Sequence, residues 1–155
     1  MLASLIGHSS ADVSCWDGDC LTAGWTWTDS SGVKNDYACY RDGCKKSGWI
    51  TKGPGRSTYT QCKAEGCFKE GWYEIGQENQ NLLRTIVCRS DENDTKTTNC
   101  LKNGWVIYST QGQEAVISCH KKDCEKNGWL VQTSYKMSQV YCKSGGCFIT
   151  GWNEL

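Results

Sequence analysis

The sequence predicts an all-β protein: tandem disulfide-stapled β-hairpin repeats, six copies in two units of three, arranged solenoid-like. Three observations predict it. A Cys-x4-Cys-x3-Gly-Trp motif recurs, as in CYRDGCKKSGW from Cys39, CKAEGCFKEGW from Cys62 and CKSGGCFITGW from Cys142. Self-similarity at a period of about 20–50 residues marks a repeat architecture. All 12 cysteines fall in the copies, two to each. Stretches rich in β-branched and aromatic residues flank each motif, and that is strand composition.

Each copy reads as strand, loop, Gly-Trp, strand. Copy one has residues 12–14, the pair Cys15 and Cys20, then residues 25–28. Copy two has residues 36–38, Cys39 and Cys44, then 49–51. Copy three has 58–61, Cys62 and Cys67, then 72–75. Copy four has 85–87, Cys88 and Cys100, then 105–108, and its first loop holds eleven residues instead of four. Copy five has 115–118, Cys119 and Cys124, then 129–133; copy six has 138–141, Cys142 and Cys147, then Trp152. The three residues before Gly-Trp, such as Lys45-Lys46-Ser47, have room for one helical turn capped by the glycine. No sustained 3.6-residue periodicity supports a longer helix.

A second level of repetition follows from the tryptophans. Trp25 and Trp105, Trp49 and Trp129, and Trp72 and Trp152 are each 80 residues apart. The predicted organisation is an N-terminal tail (1–11), a first three-hairpin unit (12–75), a polar linker (76–83) and a second unit (84–155).

Leu, Ile, Val and Phe together number 24 in 155 residues, too few for a large aliphatic core. Thin cores need covalent or metal staples. The residue before the second cysteine is Asp19, Gly43, Gly66, Asn99, Asp123 or Gly146, types that tolerate a left-handed backbone. A short loop closed by such a residue brings its flanking cysteines together. The expectation is six local disulfides: Cys15–Cys20, Cys39–Cys44, Cys62–Cys67, Cys88–Cys100, Cys119–Cys124 and Cys142–Cys147. By chain entropy a six-residue ring contributes about 2 kcal/mol and the longer ring about 3 kcal/mol. The eleven-residue loop fits a disulfide, which asks only that the loop ends meet. The alternative is structural zinc held by cysteine pairs from different copies, in an intracellular regulator binding protein or nucleic acid. Otherwise no cofactor is expected.

With 17 basic and 17 acidic residues, the charge balance argues against nucleic acid, where phosphate neutralisation dominates affinity. No apolar run reaches membrane-spanning length. The first seven residues lack the basic and long apolar regions of an intact signal peptide. Disulfide density points to a secreted, extracellular or periplasmic location.

The segment Val140-Tyr141-Cys142-Lys143-Ser144-Gly145-Gly146-Cys147-Phe148-Ile149-Thr150-Gly151-Trp152 resembles the hairpin repeats of bacterial cell-wall-binding modules, including the choline- and glucan-binding families. Phe68-Lys69-Glu70-Gly71-Trp72 follows more loosely. The resemblance implies a solenoid of hairpins, about three to a turn, and covers the repeat skeleton alone. The cysteines are additional, and of the caging aromatics only Tyr37, Tyr59 and Tyr141 stand near the required place.

The repeat tryptophans read as core filler. His8 and His120 have no partner set for a catalytic triad, and paired cysteines leave no thiol nucleophile. Carboxylates at loop tips read as turn formers. No enzyme is expected. Recognition falls to side chains outside the repeat register: Trp16, Tyr40 and Arg89, which share the first loop position, and Trp27, two residues beyond a repeat tryptophan. The inserted segment 89–99 is a further candidate, because insertions in repeat proteins map to binding faces. The expected function is extracellular and non-catalytic: recognising a glycan or cell surface, or packing against another protein subunit in an extracellular assembly.

Overall fold

The structure is a computed structural model, described for residues 11–54 and 56–155, without the side chain of Arg56. The N-terminal tail reading and His8 lie largely or wholly outside the described residues. Twelve strands build the body: β1 (Ala11–Cys15), β2 (Gly24–Thr28), β3 (Lys34–Cys39), β4 (Trp49–Gly53), β5 (Arg56–Cys62), β6 (Gly71–Gly76), β7 (Leu82–Cys88), β10 (Trp105–Ser109), β11 (Gly112–Cys119), β12 (Trp129–Gln132), β13 (Met137–Cys142) and β14 (Gly151–Glu154). The inserted segment forms a separate two-stranded hairpin, β8 (Ser90–Asp91) with β9 (Asp94–Thr98). Each body strand pairs antiparallel with its neighbours in the chain, and β14 pairs with β1, closing a barrel.

The solenoid expectation is corrected here. At the seam Ala11 faces Glu154 and Val13 faces Trp152, so the last copy contacts the first. Closure removes the unpaired edges that an open sheet must otherwise protect. The two units also share one sheet. The stretch 76–83 comprises the end of β6, a turn and the start of β7, and these strands pair along their length.

Each copy is a hairpin with a constant register: Cys15 opposite Trp25, Cys39 opposite Trp49, Cys62 opposite Trp72, Cys88 opposite Trp105, Cys119 opposite Trp129 and Cys142 opposite Trp152. All six local disulfides are present and no cysteine is free. Each cysteine sulfur is bonded to another, and among the described residues no group of His, Cys, Asp and Glu is placed to hold a metal ion. Six intramolecular disulfides fit an oxidising environment.

Strand alternation sends every repeat tryptophan inward. An eight-stranded barrel is just filled by side chains, and diameter grows with strand number, so twelve strands need larger filler. Trp25, Trp49, Trp72, Trp105, Trp129 and Trp152 supply it as a closed ring, with neighbouring centroids 5.1–6.3 Å apart. All six are buried. Phe68 stacks on Trp49 and Phe148 on Trp129, and the two phenyl rings lie 6.2 Å apart. The glycine of Gly-Trp is explained by the same packing. At Gly151, with φ of +120°, a Cβ would collide with the backbone carbonyl of Val13 on the neighbouring strand. The other five repeat glycines meet the next strand in the same way.

The far end of the barrel is polar inside. Arg84 bridges Glu74 (3.1 Å) and Glu114 (3.0 Å). Buried Glu154 accepts the indole N–H of Trp27 (3.1 Å) and of Trp152 (3.3 Å). Burial, with Glu74 and Glu154 nearby, pushes the Tyr37 phenol far above its ordinary value.

Candidate ligand-binding face

Within each copy the connection from first to second strand crosses the same end of the barrel, so all six cystines gather there. Three copies take one helical turn after the second cysteine: α1 (Cys44–Ser47), α2 (Cys100–Asn103) and α3 (Cys124–Asn127), each ended by the repeat glycine. The loops are tied to one another around the ring. Cys20 N donates to Phe148 O (2.9 Å), Cys44 N to Leu21 O (2.8 Å), Cys67 N to Lys45 O (3.0 Å), Cys100 N to Phe68 O (2.8 Å) and Cys147 N to Glu125 O (2.9 Å). The acceptor is in each case the residue after the second cysteine. That position keeps one backbone role in these five copies, while its side chain varies between leucine, lysine, phenylalanine and glutamate.

These residues shape the surface of the cystine end. One depression of about 550 Å³ has Phe68 and Leu101 in its lining, Lys45 and Glu125 toward the axis, and Thr97, Thr98 and Asn99 of the inserted segment on its outer wall. A second, of about 750 Å³, is lined by Leu21, Phe148 and Ile149 beside the loop 18–22, and shares Lys45, Lys46 and Glu125 with the first. The inserted hairpin is anchored to this rim: Thr98 Oγ1 donates to Lys69 O (2.6 Å), and Lys122 Nζ approaches Asp91 Oδ2 (3.5 Å). The backbone N–H of Asn93, assisted by Lys122, holds the Asp91 carboxyl below its ordinary range. Lys69 pairs with Glu65 (3.4 Å).

The side chains expected to recognise a partner are not brought together. Trp16, Tyr40 and Arg89 lie on the outer wall, each in the same position of its copy. The Trp16 ring lies over Gly24, and its Nε1 donates to Thr26 Oγ1 (2.8 Å), which in turn donates to Asp36 Oδ1 (2.8 Å). Arg89 Nη1 donates to Ser118 Oγ (2.7 Å) and Ile117 O (3.3 Å) on the next copy. Tyr40 is half-buried, and burial together with neighbouring Tyr59 raises its phenol above the ordinary value. In copies five and six His120 Nε2 meets Gln139 Oε1 (2.8 Å) and Lys143 Nζ pairs with Asp12 Oδ1 (2.8 Å), while in copy three Lys63 Nζ lies over the Tyr73 ring of its own copy, 5.4 Å from the centroid. Arg89, His120 and Lys143 thus fasten neighbouring copies along the outside of the barrel, whereas Trp16 and Lys63 contact the second strand of their own copy. Trp27 is inside, 5% exposed and bonded to Glu154, so it offers no surface for stacking.

Sequence reasoning missed Lys45, Phe68, Leu101, Glu125 and Phe148 as lining residues. The available signal was the contrast between an invariant frame and the variable residue after each second cysteine. The inserted segment, in contrast, is at this face, as its place between Cys88 and Cys100 requires. No helix among the described residues is long and apolar enough to cross a membrane. No protein-family model, curated protein or solved structure matches the chain.

Proposed function

We propose that this protein is an extracellular, non-catalytic recognition module that takes a glycan on the cystine end of its barrel. One observation carries the reading: the only large departure from the repeat, the hairpin β8–β9, walls a concave surface beside Phe68 and Leu101. Repeat frames bind through what breaks the repeat, and loops on a rigid scaffold carry function more than the scaffold does. A sugar presents apolar C–H faces and a polar rim of hydroxyls. Apolar side chains surrounded by threonine, asparagine, lysine and carboxylate groups match both. The weak likeness to cell-wall-binding hairpins points the same way.

The test replaces residues 89–99 with Lys-Ser-Gly-Gly, the loop between Cys142 and Cys147. Five copies already close with four residues, so the variant is expected to fold and melt like the parent. On a glycan array followed by titration calorimetry, its affinity should fall at least tenfold. Unchanged binding would place the site elsewhere.

A second reading, packing into an extracellular assembly, is favoured by the outer face of β13. Met137 is 62% exposed and Tyr141 49%, with Tyr135 at 76% on the preceding turn. Light scattering on the same samples over a concentration series separates the two: a monomer throughout leaves the glycan reading.

A further inference from the structure

Building on that reading, we propose that the two depressions form one groove across the barrel axis, and that its ligand is a linear, uncharged oligosaccharide of several residues. Continuity rests on shared walls: Lys45, Lys46 and Glu125 line both depressions. Phe68 lines one and Phe148 the other, with ring centroids 6.2 Å apart. The two depressions thus adjoin at Lys45, Lys46 and Glu125, one reaching the inserted hairpin and the other the loop 18–22.

Size sets the length. Each depression, at about 550 and 750 Å³, is within the range of about 300–1,000 Å³ that holds a drug-sized molecule. A single sugar ring leaves most of the groove empty. Charge sets the class. Four cationic and four carboxylate side chains line the two depressions together, and the pair Lys69–Glu65 is already joined. A polyanion gains no net attraction from such a lining, and long-range steering by charge is absent. Phe68 and Phe148 are almost wholly buried and offer only ring edges, so the accessible apolar contacts come from the exposed Ile149 in one half and the half-buried Leu101 in the other.

Occupying both halves with one chain makes the second contact intramolecular, so affinity should rise steeply with length until both are filled. The experiment titrates the full chain with chito-oligosaccharides and cello-oligosaccharides of one to six residues, and with a heparin hexasaccharide as the polyanion. Two variants each block one half: Thr97→Trp on β9 of the hairpin and Ile149→Trp in the second depression. Both positions are exposed, and unchanged melting verifies folding. The expected result is a Kd at least tenfold lower for the hexamer than for the dimer, in at least one neutral ladder. Either variant should abolish that gain. A variant that melts early is replaced by Thr97→Arg or Ile149→Arg. Equal affinity at all lengths, or heparin binding tighter than both neutral ladders, overturns the inference and leaves a glycan site standing. Silence from both ladders overturns it as well; a blank glycan array would then take the recognition reading with it.

Discussion

At the scale of single residues, the same chemical type does opposite work at different register positions. Trp129 is 2% exposed and touches Trp105, Trp152 and Phe148. Trp129→Ala removes one sixth of the ring and leaves a cavity that rigid strands cannot close. It should cost about 3–5 kcal/mol, read as a lowered denaturation midpoint. Trp16 is half-buried on the outer wall, with one indole hydrogen bond and contact with Gly24. Trp16→Ala should cost about 1–2 kcal/mol, and glycan affinity should stay unchanged, because neither depression includes it. If Trp16→Ala instead abolishes binding without lowering the midpoint, the outer wall is the recognition surface. The core role of the repeat tryptophans was legible from their constant spacing. The role of Trp16 was not, because its partner Thr26 stands on the following strand, ten residues away, and is itself held by Asp36 on the strand after that.

At the scale of elements, turn chemistry was legible only in part. Gly43, Gly66 and Gly146 take the positive φ expected before the second cysteine. Asp19, Asn99 and Asp123 do not; they are extended, with φ of −155°, −161° and −150°. Their side chains cap the following turn instead, accepting from Leu21 N, Leu101 N and Lys126 N. A short polar side chain can satisfy a loop either way, so the residue type alone does not choose. The β2–β3 turn offers a test of such capping. Asp29 Oδ1 accepts from Ser31 Oγ (2.7 Å), Ser31 N (2.9 Å) and Val33 N (2.9 Å). The Ser31 hydroxyl, then the Val33 amide, lower the carboxyl from its ordinary 3.8. A depressed folded-state value means that the turn's stabilisation is complete above 3.8 and is lost as the pH falls through the lower folded value. Amide exchange at Ser31 and Val33 should therefore lose protection in that acidic window in the parent, and show no such step in Asp29→Ala. The same step in both proteins would assign the acid sensitivity to another group.

At the scale of the molecule, the hairpin, its staple and its inward tryptophan were legible, while closure was not. Nothing local distinguishes a hairpin in an open superhelix from one in a ring, because both pair with neighbours on either side. One signal bears on it: solenoids need terminal copies with altered, polar outer faces, and here the first and last copies keep the full motif, Cys15 to Trp25 and Cys142 to Trp152. They need no cap because they cap each other. The consequence is testable by moving the chain ends. Joining Leu155 to Met1, with residues 1–10 as the linker, and opening the chain in the turn between β6 and β7 changes no strand pair and no disulfide. Every remaining neighbour pair is still a hairpin, and the former seam of β14 with β1 becomes an ordinary internal connection. Such a permutant should form six disulfides, keep the near-ultraviolet dichroism of the tryptophan ring, and melt within about 8 °C of the parent, the shift that roughly 1–2 kcal/mol produces in a domain of this size. An open superhelix behaves differently, since joining its distant ends with a short linker would break the stack. A permutant that fails to form its disulfides or loses the tryptophan signal would therefore count against the closed ring.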